Sequence, residues 1–243
     1  MSNIEKIGIV GFGAMGQLMA EKMFPGLEIR AHDPNLMNSE INGIEMVSME
    51  EVAQSDAVVL AVPASKLLKV GRELVGLVPE DTVVVDVCSV KMFSEIVFSD
   101  LRIQGKNIGK LLCHPLFGPQ SASKGLTGHR VFVTKSEGEK AKELVDNWQK
   151  IGLKTIEITA EVHDQLMVPI QAIPFVIGRM VAMLGLDDPI SLQTPSRLSV
   201  RKLEWLDELQ SDELLRTIID FNPFARDVIV KMFENGLGLL GKN

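Results

Sequence analysis

Cysteine is scarce in this 243-residue chain, which has only Cys88 and Cys113. Two cysteines build no disulfide framework. A chain that does without one suits a reducing compartment, so a cytoplasmic location is expected. Both follow apolar runs and read as small buried hydrophobes. Basic charge is also in deficit: 25 lysines and arginines stand against 32 carboxylates, a formal net charge of −7, with no dense basic cluster. Nucleic-acid binding needs a positive surface to meet phosphates, so that class of partner is excluded. No charged-then-apolar leader is visible, so no secretory signal is expected. The four histidines lack metal-ligand spacing, and no nucleophile elbow, internal repeat or low-complexity segment is present. One apolar segment, Leu166 to Leu186, has the length of a membrane span. It carries Pro169, Gln171, Pro174 and Arg179, and an arginine near mid-span costs roughly 2.5–3.5 kcal/mol on insertion scales. A buried core or interface helix is the preferred reading.

With 46% hydrophobic and 23% charged residues, the composition is that of a soluble globular protein. Short apolar runs at Lys6–Val10, Glu28–His32, Ala57–Val62, Thr82–Val87, Lys110–Cys113, Arg130–Thr134 and Lys154–Ile158 read as strands. Helical spacing separates several of them, at Ala14–Phe24 and again at Glu137–Ile151, where Leu144, Val145, Trp148 and Ile151 share a face. The pattern implies an α/β, Rossmann-type, doubly wound and mostly parallel sheet. After Thr159 strand-like alternation ends, and Glu161–Gly185, Ser196–Leu209 and Asp212–Leu240 read as helices. We therefore expect a dinucleotide-binding domain over 1–158. A smaller all-helical domain over 159–243 would have more apolar surface than it buries alone, hence a homodimer through these helices.

The first strand runs into Gly11-Phe12-Gly13-Ala14-Met15-Gly16. In such a fingerprint the first glycine allows the turn, the second lets backbone approach a pyrophosphate, and the third lets helix and strand pack closely. The helix N-terminus then offers free N–H groups to the phosphates. Its place after a strand and before a helix is the confirming context. Asp33, 17 residues after Gly16, would accept hydrogen bonds from the adenosine ribose and repel a 2′-phosphate, which favours NAD over NADP. Val62, Pro63 and Ser65 would line the cofactor, and Cys88 would lie against the nicotinamide or in the core.

Two further segments carry the chemistry: Asp86-Val87-Cys88-Ser89-Val90-Lys91 and His114-Pro115-Leu116-Phe117-Gly118-Pro119. Each leaves an apolar run, so Ser89 and His114 would emerge at the carboxyl ends of two strands of one sheet, where open α/β sheets bind ligands. An imidazole titrating near neutrality beside a hydroxyl can remove a proton from a substrate hydroxyl. Ser89 could instead cap the following helix, and Lys91 could be a solvated first-turn lysine.

The order of these motifs, with Glu161-Val162-His163-Asp164 opening the helical part, resembles the prephenate/arogenate dehydrogenases. His114-Pro115-Leu116-Phe117-Gly118-Pro119-Gln120-Ser121, Gln171-Ala172-Ile173, Gly178-Arg179 and Asn222-Pro223 are closest to the plant-type arogenate enzymes. The resemblance implies oxidative decarboxylation of arogenate or prephenate with hydride transfer to NAD(P). It gives His114 the ring-hydroxyl proton and Ser89 a hydrogen bond beside it. Substrate contacts are expected from Lys91, Gln171, Arg197 and Arg201. Two departures stand out. Phe175 occupies the place of the family's second histidine, and no cation stands near Trp205–Leu206, where bacterial members have an arginine. Another small-acid dehydrogenase of the same build, or a non-catalytic NAD-binding relative, are the alternatives.

Overall fold

The computed structural model describes residues 4–37, 39–101, 108–186, 194–208, 211–239 and 241. The chain divides into two units, Met1–Ala160 and Glu161–Asn243. In the first, β1 (Lys6–Val10), α1 (Ala14–Lys22) and β2 (Glu28–His32) are followed by the short strands β3 (Glu40–Ile41) and β4 (Ile44–Glu45) and by α2 (Met49–Ala53). Then come β5 (Ala57–Leu60), α3 (Ala64–Leu77), β6 (Val83–Asp86), α4 (Lys91–Asp100), β7 (Gly109–Pro115), β8 (Arg130–Glu137), α5 (Glu139–Lys150) and β9 (Lys154–Glu157). Seven strands form one sheet in the order β2-β1-β5-β6-β7-β8-β9, and β3 and β4 pair separately. Only β7 and β8 run antiparallel within the large sheet. The fold is the mostly parallel, Rossmann-type α/β architecture that the apolar runs imply.

The central strands are apolar because both of their faces are covered. Ile7, Ile9, Ala57, Val59, Val83 and Val85 join one core with Leu18, Met19 and Met23 of α1 and with Leu144 and Trp148 of α5. Val58, Leu60, Val84 and Leu112 alternate with them and are equally buried, so they belong to the opposite face. The register brings the ends of β6 and β7 together, with Asp86 opposite Leu112. Beyond that point β7 runs on, paired to β8 by Cys113–Val133, His114–Phe132 and Pro115–Val131. His114 therefore sits within the strand, whereas the sequence reading ended the strand at Cys113. The register slips between Leu112 and Cys113, leaving Thr134 as the extra residue of β8. Its hydroxyl donates to the Leu112 carbonyl at 3.4 Å. Such bulges bend a strand and re-aim the side chains beyond them.

The second unit holds α6 (Ala160–Met167), a π-helical turn (Val168–Ala172), α7 (Ile173–Met183), α8 (Pro195–Glu208), α9 (Asp212–Phe221) and α10 (Ala225–Leu239). The single helix expected from Asp212 to Leu240 is broken at Asn222-Pro223. Proline cannot donate to the ladder, and the Asn222 side chain takes the turn over. Its Oδ1 accepts from Phe224 N at 2.9 Å and its Nδ2 donates to the Asp164 carbonyl at 2.9 Å. The expected helix ends at Leu209 and Leu240 lie outside the described residues. By length and composition the stretch Ala160–Met183 could cross a bilayer. In this unit one face of it, with Val168, Ala172 and Val176, packs against Leu215, Ile218, Ala225 and Ile229, while Leu166, Ile170, Met180 and Met183 are exposed.

Arg179 joins three helices, with Nε 2.5 Å from Asp207 and Nη1 2.7 Å from Asp212. One turn of α7 meets α8 so closely that a Cβ on Gly178 would lie 2.4 Å from the Leu203 carbonyl oxygen. Helix propensity favours alanine over glycine by about 1 kcal/mol, yet here the obstacle is backbone. Gly178→Ala is therefore expected to destabilise the helical unit by a net ~1–2 kcal/mol, within the usual cost of overpacking. Thermal unfolding followed by circular dichroism checks this, and a variant more stable than the parent would mean that α7 and α8 separate freely.

Candidate active site

The strand order reverses between β1 and β5, the place where open sheets take ligands. Gly11 turns with φ +90, and a Cβ there would lie 2.5 Å from the Ala61 carbonyl oxygen. A Cβ on Gly16 would lie 2.2 Å from the Gly11 carbonyl oxygen. The first contact seats the β1–α1 loop against Ala61 and Val62, just past β5, and the second packs α1 onto the loop itself. Gly13, the N-cap of α1, faces open space: a Cβ there meets nothing within 4 Å, and no side chain caps the helix. The N-terminal amides of α1, at Ala14, Met15 and Gly16, thus border an open cradle of the kind a diphosphate fills. The residues present fit a dinucleotide.

Phe12 plays a different part from the others. Its side chain is fully buried, and its N–H donates to Asp33 Oδ2 at 3.0 Å. Its expected role as a cofactor contact gives way to one of tethering the end of β2 to the glycine loop. Asp33 Oδ1 accepts from Asn35 N at 3.0 Å. Arg30, the cation nearest Asp33 in sequence, is turned to Glu28 at 2.9 Å. Pro63 occupies the N-cap position of α3 without a capping bond, and Ser65 is exposed in its first turn.

At the other end of this sheet edge, Ser89 and His114 are positioned by the ends of β6 and β7. Val90 is the N-cap of α4, and no side chain caps that helix. The capping alternative for Ser89 is therefore absent, and the residue is half-buried. His114 retains 5% of its surface. Lys91 is neither solvated nor presented to a ligand. Its side chain and that of Asp86 are both fully buried and form an ion pair. Lys91 Nζ also donates to the Cys113 carbonyl at 2.6 Å. Asp86 Oδ1 accepts from Cys88 N at 3.1 Å. The substrate contact expected of Lys91 is corrected to an internal strut, because an ammonium without solvent must be matched by charge and hydrogen bonds. Asp86, to which the sequence reading gives no role, is the partner that holds Lys91. The available signal was a carboxylate at the end of an all-valine strand, five residues before a lysine.

Gln171, Arg197 and Arg201 belong to the second unit. Gln171 lies in the π-helical turn, a feature frequent at functional sites, and its buried Oε1 has no hydrogen-bond partner. Arg197 pairs with Glu204 at 2.9 Å, so its guanidinium already serves a carboxylate of its own helix. Arg201 lies one turn further along α8. Phe175 packs at the margin of the helical core. His163 and Asp164 are fully buried and joined at 2.7 Å. Among the described residues no group of His, Cys, Asp and Glu could hold a metal ion.

Burial pushes the Cys88 thiol up to about 11 and that of Cys113 up to about 12, with the Asp86 carboxylate adding to the rise in both. Both folded values exceed the ordinary 9.0. The folded state holds these protons more tightly, so this contribution to stability is intact below pH 9 and is lost as pH rises from 9 through about 11–12. At pH 8 both thiols should resist a disulfide-exchange reagent in the native protein and react fully once it is denatured. Native labelling of either cysteine would show that its burial is not maintained in solution.

Residues 37–157 match the sequence model described as "Prephenate dehydrogenase, nucleotide-binding domain". That stretch contains both chemical motifs but not the glycine fingerprint. Arogenate dehydrogenase 2, chloroplastic, of Arabidopsis thaliana is 24% identical over 259 residues, covering 95% of this chain and 68% of the plant protein. Arogenate dehydrogenase 1, chloroplastic, of the same plant is 26% identical over 237 residues, covering 91% of this chain but only 36% of that protein. Among solved structures, prephenate dehydrogenase from A. aeolicus, crystallised with hydroxyphenyl propionate and NAD+, superposes with a TM-score of 0.72 at 20% identity. That match covers 98% of this chain and 90% of the other. With the ordered motifs, the sheet and these matches in agreement, the chain is similar to the prephenate/arogenate dehydrogenases, and residues 37–157 match that family's nucleotide-binding domain.

Proposed function

We propose that this protein catalyses the NAD-dependent oxidative decarboxylation of arogenate or prephenate, yielding tyrosine or 4-hydroxyphenylpyruvate and CO2. The observation that carries the reading is a nearly buried imidazole, His114, held in a strand at the same sheet edge as the open glycine cradle. NAD is favoured over NADP because a carboxylate, Asp33, stands at the end of β2 while Arg30 is occupied by Glu28. The nicotinamide, when bound, accepts the hydride. The protein's own task is to orient the ring, take up a proton and exclude water. His114 receives the proton of the ring hydroxyl as the adjacent C–H bond gives up its hydride. Ser89 hydrogen-bonds beside that hydroxyl. The bond to the ring carboxylate then breaks and its electron pair completes the aromatic ring. CO2 departs, and the phenolate oxygen takes the proton back from His114. The plant-type motifs favour arogenate.

The helical unit leaves Met180, Met183, Leu184, Leu186, Leu237 and Leu239 exposed. Apolar surface of this kind marks an association site, and we assign it to a second copy of the chain in a homodimer.

Initial rates at the reduced-nicotinamide absorbance band, with NAD or NADP and arogenate or prephenate in turn, test the reaction. Turnover with neither ring substrate, by a protein that binds NAD, would overturn it. His114→Asn is expected to lower kcat by ~10²–10⁴-fold, the usual contribution of a general base, with NAD affinity retained; full turnover would remove His114 from the mechanism. Asp33→Ala should weaken NAD binding about tenfold or more, as loss of a charge-assisted hydrogen bond does, and narrow the gap to NADP. An unchanged cofactor preference would reduce Asp33 to a tether.

A further inference from the structure

Where β6 stops and β7 continues, each strand has backbone groups that no strand partner meets. Side chains meet them instead. Lys91 Nζ donates to the Cys113 carbonyl at 2.6 Å, and the Cys113 thiol donates to the Asp86 carbonyl at 3.4 Å. Asp86 completes the circuit, accepting from Lys91 through Oδ2 and from Cys88 N through Oδ1. Two of the backbone positions tied into this circuit, Cys88 and Cys113, each immediately precede a residue of the proposed chemistry, Ser89 and His114. All of the circuit's atoms are buried and belong to the first unit.

We infer that the Asp86–Lys91 pair is the positioning device of the active site, setting the hydroxyl of Ser89 against the imidazole of His114. Neither residue touches substrate. Catalytic constellations lose rate steeply for displacements of an ångström, and a side-chain strut across the gap between strand ends suppresses such displacement. The inference rests on the proposed reaction for its kinetic consequence, but not for its structural one.

The test uses the full-length protein and two variants, Lys91→Met and the double replacement Asp86→Asn with Lys91→Met. The single change leaves a buried carboxylate unmatched and can prevent folding. The double change leaves no orphan charge, and the side-chain amide oxygen introduced at position 86 can still accept from Cys88 N. Expected of the folded double variant are a kcat lowered ~10–100-fold, a KM for NAD within about twofold of the parent, and a displaced His114 ring signal in ¹H–¹⁵N spectra, assigned by its loss in His114→Asn. A kcat equal to the parent's, or an unmoved His114 signal, would overturn the inference and leave the pair a stabilising element alone. If the parent itself turns over neither ring substrate, the proposed reaction fails while the His114 signal still decides the positioning role.

Discussion

Two opposite charges without solvent constrain this structure more than any other contact. Removing an ammonium and a carboxylate from water costs several kcal/mol each, which their mutual attraction offsets only when every remaining proton and lone pair is also used. Cys88 N and the Cys113 carbonyl supply two of those bonds to Asp86 and Lys91. Their geometry is therefore narrow, and it is transmitted to both strand ends. A well-packed apolar replacement could equal the pair in stability; it would not supply directed hydrogen bonds to two different strands.

The glycine loop solves a related problem with less. Steric contact with the end of β5 fixes Gly11, and the Phe12 amide is held by Asp33. The carboxylate that would meet a ribose thus also anchors the loop that would meet a diphosphate, so the two halves of a dinucleotide site share one reference point. The helical unit is held together differently. Arg179 gathers Asp207 and Asp212, and Asn222 stitches its own helix break to the Asp164 carbonyl.

Much of this was legible in the residues. Apolar runs that end in Asp86 or in Cys113-His114 announce strands buried on two faces, and the fingerprint announces its turn. The features that escaped did so for physical reasons. The two-residue strands β3 and β4 are too short to show alternation. Helix α2 is only five residues long, although its capping box, Ser48 with Glu51, was a visible start signal. Periodicity runs straight through Asn222-Pro223 because both flanking helices bury the same kind of side chain. The burial of Lys91 depends on β7 arriving 22 residues later in the chain. No local pattern separates a lysine that will be sealed by a distant strand from one that stays in water.

That separation along the chain also has an order in time. Asp86 and Lys91 are five residues apart, and closing so short a loop costs little entropy compared with recruiting Cys113. The charged pair can therefore assemble as α4 starts, while the ammonium still has donors unspent. When β7 docks beside β6 in the native register, the Cys113 carbonyl meets one of them. The strut that later steadies the site would thus first act during folding, as the mark against which the strand bearing His114 finds its register.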